Sequence, residues 1–221
     1  MDFDYHVLIQ YSGDLLLGLV TTLWAIGITL GIAVLIGLLA CIASLSASPF
    51  LRAIAKVYTD VFRVLPDIVL VFWVYYCFPL VFNLRLSALG SGILALSLTM
   101  GAFLGEIFRA GILTIPVGQL ESAHALGLGP VARWSKIILP QAIRRMLPAF
   151  MNSFTELLKH TTLLAGIGVT ELTYQAYTLG SRTFKQLEFL TAIAVLYFAV
   201  IFPLSILARH AEVRIRQRTA S

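Results

Sequence analysis

Residues 15–51 read LLLGLVTTLWAIGITLGIAVLIGLLACIASLSASPFL, and no side chain in that run is charged. A helix needs about 20 mainly apolar residues to cross a bilayer core. The run therefore predicts a spanning helix over about 17–45. Thr21, Thr22 and Thr29 fit inside it, because a threonine hydroxyl can bond back to a carbonyl of its own helix. The rest of the chain is of the same kind: 221 residues, 59% hydrophobic, 12% charged, mean hydropathy +0.90. A soluble domain carries about 25% charged residues. The expected fold class is all-α, a polytopic membrane protein forming one domain over 1–221.

Further along, the apolar run Ile68 to Leu84 is short, so a second helix is expected to start near Lys56 and to carry Arg63 and Asp67 near the interface. A third is expected at about 87–108, uncharged until Glu106. The fourth starts after Pro140 and runs toward Leu164 with Arg144, Arg145, Glu156 and Lys159; the fifth is Phe189 to Ala208. Segment 165–186, broken by Gly166, Gly168 and Gly180, is too polar for a plain span. It reads either as an external loop or as an irregular element shielded by protein, since bare irregular backbone is not tolerated against lipid. No repeat of 20–50 residues is visible.

Five spans put the termini on opposite sides, and Lys and Arg mark the cytoplasmic side. Asp2, Asp4 and Asp14 precede the first helix with no basic residue among them. With the first connection inside, the third and the tail are inside too, and twelve of the sixteen basic residues lie there. The amino terminus is then outside and the carboxyl terminus cytoplasmic. The net charge of +5 is explained by this bias. No basic patch is interleaved with aromatic residues, so a nucleic-acid role is set aside. Cys41 and Cys77 sit in apolar runs without metal-type spacing, and no metal or cofactor site is expected. The start, MDFDYHVLIQYSGD, lacks a basic region, so no cleavable signal peptide is expected.

One connection stands out. Residues 121–141 read ESAHALGLGPVARWSKIILPQ, within a loop of about 112–138 on the expected cytoplasmic side. Residues 118–126 suit a short helix, with Ala123 and Ala125 leaving a shallow surface. Gly127 suits a left-handed stop. Gly129 and Pro130 suit a second start. Two helical pieces joined by a glycine elbow are expected. From the pattern alone they are either a knob that docks a partner or a connector lying in the membrane interface, held by Trp134 and basic side chains.

Glu121, Ser122, Ala123, Gly127, Ile137, Leu139 and Pro140 match the spacing Glu-Ala-Ala-x3-Gly-x9-Ile-x-Leu-Pro, the EAA signature of ABC importer membrane subunits, with Ser122 in place of alanine. GDLLLGLVTTLWAI, VYTDVFRVLPDIVLVFWVYY, GEIFRAGI, LPQAIRRMLPAFMNSF and LLKHTTLL extend the resemblance to the polar amino acid branch of that family. Two departures matter below: FRVLPD stands for the commoner Phe-Arg-Gly-Thr-Pro-Leu, and His160 stands where the branch often has aspartate. Thr99-Met100 also replaces a frequent asparagine and small residue. The resemblance implies a permease of the bacterial inner membrane that pairs with itself or a related chain. It also implies two ATPase subunits below and an extracytoplasmic binding protein that delivers the substrate. The elbow is then the coupling helix, seated on the ATPase.

The chain has no G-x-x-x-x-G-K-[ST] loop and no Gly-Lys dipeptide, so it is expected to be no ATPase itself. Charged groups at membrane depth are costly and persist where they face protein or a wet path. Glu106 and Arg109, three apart, read as a structural ion pair. Glu156, Lys159 and His160 read as candidates for the substrate path; so do the hydroxyls of Ser97, Thr99 and Ser153, since helices three and four line the path in the family. His6, His124 and His210 read as structural. The expected cargo is a polar amino acid, acidic ones first. The alternative is a self-sufficient secondary transporter, which the lack of an internal repeat disfavours.

Overall fold

The computed structural model describes residues 3–219, with side chains through His210. Asp2 and the side chains of Arg214, Arg216 and Arg218, used above to orient the chain, lie outside that range. Every described element is helical: α1 (Tyr5–Gln10), α2 (Ser12–Ser44), α3 (Pro49–Val64), α4 (Asp67–Phe72), α5 (Phe78–Phe82), α6 (Ala88–Leu113), α7 (Val117–Ala125), α8 (Pro130–Arg133), α9 (Leu139–His160), α10 (Leu172–Thr183) and α11 (Gln186–Thr219). π-helical turns at Trp73–Cys77 and Trp134–Ile138 join α4 to α5 and α8 to α9. A 3-10 stretch, Thr161–Ile167, continues α9.

Three helices are long and apolar enough to cross a bilayer: α2, α6 and the Gln186–His210 part of α11. A fourth candidate is a bent helix pair. The second span was expected to be one helix from near Lys56 to Leu84, and this is corrected: Pro49–Val64 and Asp67–Phe82 meet at 103°. Pro66 is the cause. It has no N–H to continue the ladder, and its ring pushes Leu65 out of the helical region, to φ −65° and ψ 132°. The expected fourth span is α9. Its 22 residues reach about 33 Å at 1.5 Å per residue, but its arginines, Glu156 and Lys159 keep it outside the apolar set.

α2 and α6 make the most extensive helix pair, with α9, α3 and α4 also packed on α6. Ala25, Ala33, Leu96, Leu104, Leu157 and Leu164 are buried between these helices. Trp24, Leu39 and Phe198 point outward and are exposed, as lipid-facing groups are. Lipid is as apolar as leucine, so close packing and interhelical hydrogen bonds must hold the bundle. Gly37 shows how tight that packing is: a Cβ there would stand 3.0 Å from Gly105 N and 3.0 Å from Leu104 Cβ. The Tyr58 hydroxyl donates to Leu98 O at 2.7 Å, tying α3 to α6. Thr21 and Thr22 donate back to Leu17 O and Gly18 O, both at 3.0 Å, as expected. Thr29 differs: its hydroxyl has no partner, and its carbonyl accepts the Ser97 hydroxyl at 3.3 Å.

Segment 165–186 carries a packed helix, α10 (Leu172–Thr183), between two turns. Gly168, left-handed at φ +80°, turns the chain into α10. Leu172, Ala176, Phe189 and Leu15 then bind α10 to α11 and to the start of α2. Glu171 caps α10, accepting the Tyr174 N–H at 2.7 Å and the Tyr197 hydroxyl at 3.1 Å. Its side chain is fully buried, and that burial holds its carboxyl above the usual carboxylate range.

Candidate translocation path and coupling elbow

α6 and α9 run side by side and enclose two adjoining cavities between them. Leu96, Thr99, Met100 and Phe103 of α6 line a cavity of about 360 Å³ nearer the start of that helix, the outer cavity; Phe103, Glu106, Ile107, Ala110 and Thr114 continue the stripe into a cavity of about 570 Å³ nearer its end, the inner cavity. The opposing stripe on α9 is Asn152, Ser153, Glu156, Leu157 and His160 above, Arg145, Met146 and Ala149 below. Steps of three and four keep each set on one helix face. From Leu96 to Thr114 the stripe rises about 27 Å, close to the thickness of a bilayer core.

Four of the six residues singled out for the path meet in the outer cavity: Thr99, Ser153, Glu156 and His160. Thr99 Oγ1 lies 3.5 Å from Ala95 O, a long bond, which leaves its hydroxyl available to a ligand. Ser97 does not belong there. It is fully buried and bonds toward α2, because it falls on the opposite face of α6. Lys159 is also outside the lining; its Nζ reaches Glu156 Oε1 at 2.9 Å from an exposed position.

Two residues of this neighbourhood were not singled out from the sequence. Asn152 lies four residues before Glu156, and that spacing was legible. Asp67 was not legible as part of a site, because only the break at Pro66 brings it to α9. Its Oδ2 lies 2.7 Å from His160 Nδ1, and its Oδ1 is buried without a partner. The other ring nitrogen, Nε2, stands 4.0 Å from Glu156 Oε2. His160 thus contacts the Asp67 carboxylate and lies near a second one, from another element. The departures noted at positions 67 and 160 touch each other.

In the inner cavity Arg109 Nε and Nη2 donate to Glu106 Oε1 and Oε2 at 3.0 and 2.8 Å. This is a bidentate pair that occupies the carboxylate. The Arg63 guanidinium lies over the Phe103 ring, 5.3 Å from its centre, within cation–π range. Arg145 Nη1 donates to Thr114 O.

The elbow forms as the glycines require. After α7 the Gly127 N–H donates to His124 O at 2.9 Å and the Leu128 N–H to Ala123 O at 3.1 Å. This is the Schellman arrangement, with Gly127 at φ +69°. Gly129 then caps α8, whose first residue is Pro130. Glu121 and Ser122 are exposed, as are Leu126 and Val131 at the tip, 77% and 81%. Ala123, expected on the outer surface, is 1% exposed and faces its own chain. Behind the elbow Ile115, Ile138 and Ala142 are buried together and join it to the inner ends of α6 and α9. Leu139 is exposed, while Ile137 and Pro140 are half-buried.

A family model described as "binding-protein-dependent transport system inner membrane component" matches residues 33–217. The glutamine transport system permease protein of Escherichia coli (strain K12) is 34% identical over 220 residues, 98% of this chain and 99% of that protein. The arginine transport system permease protein of Bacillus subtilis (strain 168) is 30% identical over 217 residues, 98% and 99% of the two. A crystal structure of an amino acid ABC transporter with histidines superposes with TM-score 0.88 at 31% identity, covering 97% of this chain and 100% of that one. An inward-facing methionine ABC transporter, 19% identical, shares the fold with TM-score 0.66 over 94% and 97%. Through the match to its family model and these relatives, the chain belongs to the binding-protein-dependent inner membrane components and is a permease subunit of an ABC amino acid importer.

Proposed function

We propose that the chain forms half of a translocation path for polar amino acids, acidic ones first, across a bacterial inner membrane. The observation that carries this is the continuous α6/α9 stripe with Thr99, Asn152, Ser153, Glu156 and His160 at one level. Glu156 suits an α-ammonium group. His160 and the Asn152 amide suit carboxylate or amide oxygens, while Lys159, outside the lining, adds positive charge beside the site. The second half comes from another permease chain, identical or related. An extracytoplasmic binding protein delivers the substrate, the amino terminus lies outside, and two ATPase subunits lie below. In this reading the loop of about 112–138 carries the coupling helix. Glu121, Ser122 and the exposed tip meet the ATPase, while Ala123, Gly127, Ile137, Leu139 and Pro140 hold the elbow's shape.

The test is reconstitution of the full complex in proteoliposomes, with uptake of labelled glutamate, aspartate and glutamine. Uptake of at least one is expected to fall with Glu156→Gln and with Thr99→Val. Full uptake in both variants would remove the path from α6 and α9. Uptake of glutamine alone would remove the acidic assignment and leave the path. Co-purification with the ATPase by wild type, lost in a Glu121→Ala/Gly127→Leu double variant, would support the coupling role; retention would oppose it.

A further inference from the structure

The path is divided in two by one side chain. Phe103 is the residue common to the outer and inner cavities, the floor of one and the roof of the other. The two chambers differ in charge. The outer one is lined by Glu156 and by His160, whose Nδ1 contacts Asp67 behind it. Into the inner one project Arg63, from the end of α3, and Arg145, from the first turns of α9. Neither arginine has a carboxylate within 4.0 Å among the described residues. Glu106, the acid lining that cavity, has both oxygens taken by Arg109. The inner chamber therefore carries net positive charge beneath an aromatic partition.

We infer that the inner chamber is a second station for the substrate, binding its carboxylate through Arg63 and Arg145, with Phe103 as the gate between stations. The inference rests on the reading of α6 and α9 as the path. An α-amino acid has a cationic and an anionic end. Both ends sit on one carbon, so the molecule occupies one station at a time: as its ammonium leaves Glu156, its carboxylate leads past the edge of the Phe103 ring toward the guanidinium groups. The same Arg63 that receives the carboxylate holds the Phe103 ring at 5.3 Å. Engagement of the guanidinium by a carboxylate competes with that stacking and frees the ring to swing. The cavity, about 570 Å³, is of the size that holds small ligands. Because every α-amino acid has the carboxylate, the station works whether the side chain is acidic or neutral.

The test uses the whole complex in proteoliposomes, with labelled glutamate and glutamine as probes. Arg63→Gln removes a charge-assisted contact, so turnover of transport is expected to fall about tenfold or more, with KM for the loaded binding protein unchanged. ATP hydrolysis continues, because the coupling elbow is intact. Arg63→Lys keeps the charge and restores a large part of the turnover. Phe103→Ala merges the chambers and is expected to give substrate exchange without ATP well above the wild-type level. Two results would overturn the inference: unchanged turnover in both Arg63→Gln and Arg145→Gln, or Phe103→Ala vesicles that stay tight. Repeating Arg63→Gln in vesicles of phosphatidylcholine alone separates substrate from lipid. A defect that vanishes there assigns the arginines to anionic headgroups and also overturns it. If wild-type complex carries no amino acid, the failure belongs to the reading of the path and not to the second station.

Discussion

Gly127→Leu isolates the elbow as a mechanical part. Gly127 sits at φ +69° with nothing within 4 Å of where a Cβ would lie. A substitution there meets no clash, and its whole cost is backbone conformation, about 1–2 kcal/mol for a residue with a β-carbon in the left-handed region. That cost falls on one joint, because the Gly127 and Leu128 N–H groups close the end of α7. A penalty of 1–2 kcal/mol shifts a two-state population about 5- to 30-fold. Insertion and the α2–α6 core are remote from this joint and are expected to be untouched. The assay is transport per ATP hydrolysed by reconstituted complex, with Gly127→Asn as the control. Asparagine accepts the left-handed region far more readily, so it should stay near wild type while leucine uncouples. Equal coupling in wild type, Asn and Leu would refute the argument. So would an Asn variant as damaged as Leu, since the cost would then not be conformational.

Other expectations follow from single contacts. Asp67→Ala and His160→Ala should be non-additive by about 0.5–3 kcal/mol in thermal unfolding of the complex, because the 2.7 Å contact joins them; strict additivity would mean the pair does not act as a unit. Gly37→Ala places a Cβ 3.0 Å from α6 and should lower stability by about 1–3 kcal/mol through overpacking, read as a drop in melting temperature. Glu171 has its carboxyl raised by burial, so the folded chain holds its proton to higher pH than the unfolded one. Stability from this group is full at acid pH and is lost as pH rises through the raised value. Glu171→Gln should flatten that slope, and an unchanged pH profile of melting would count against it.

Much of this was legible because lipid imposes a simple alphabet. The helix expected over about 17–45 became α2 (Ser12–Ser44), and Gly127, Gly129 and Pro130 stopped and restarted the helices where backbone geometry demands. The break at Pro66 was hidden because the apolar run Ile68 to Leu84 is too short to cross alone and so was joined to the helix before it, although a proline ring forbids the join. Ser97 and Thr99 differ by two positions and so face almost opposite ways. Their hydroxyls look equivalent in sequence, and only the packing of α6 on α2 separates them. Asp67 and His160 are distant in sequence, so their contact needed the bend. Ala123 was misassigned to the outer surface because a small residue suits either a partner's backbone or its own chain's.

The α6/α9 stripe leaves its cavities open along one side. A single copy is therefore a gutter, not a pipe. A chain inserted ahead of its partner would lie in the membrane without a sealed bore and could not leak solute. In the proposed pairing the conduit exists only once two permease chains have closed over each other, and assembly itself would act as the safety catch on the pore.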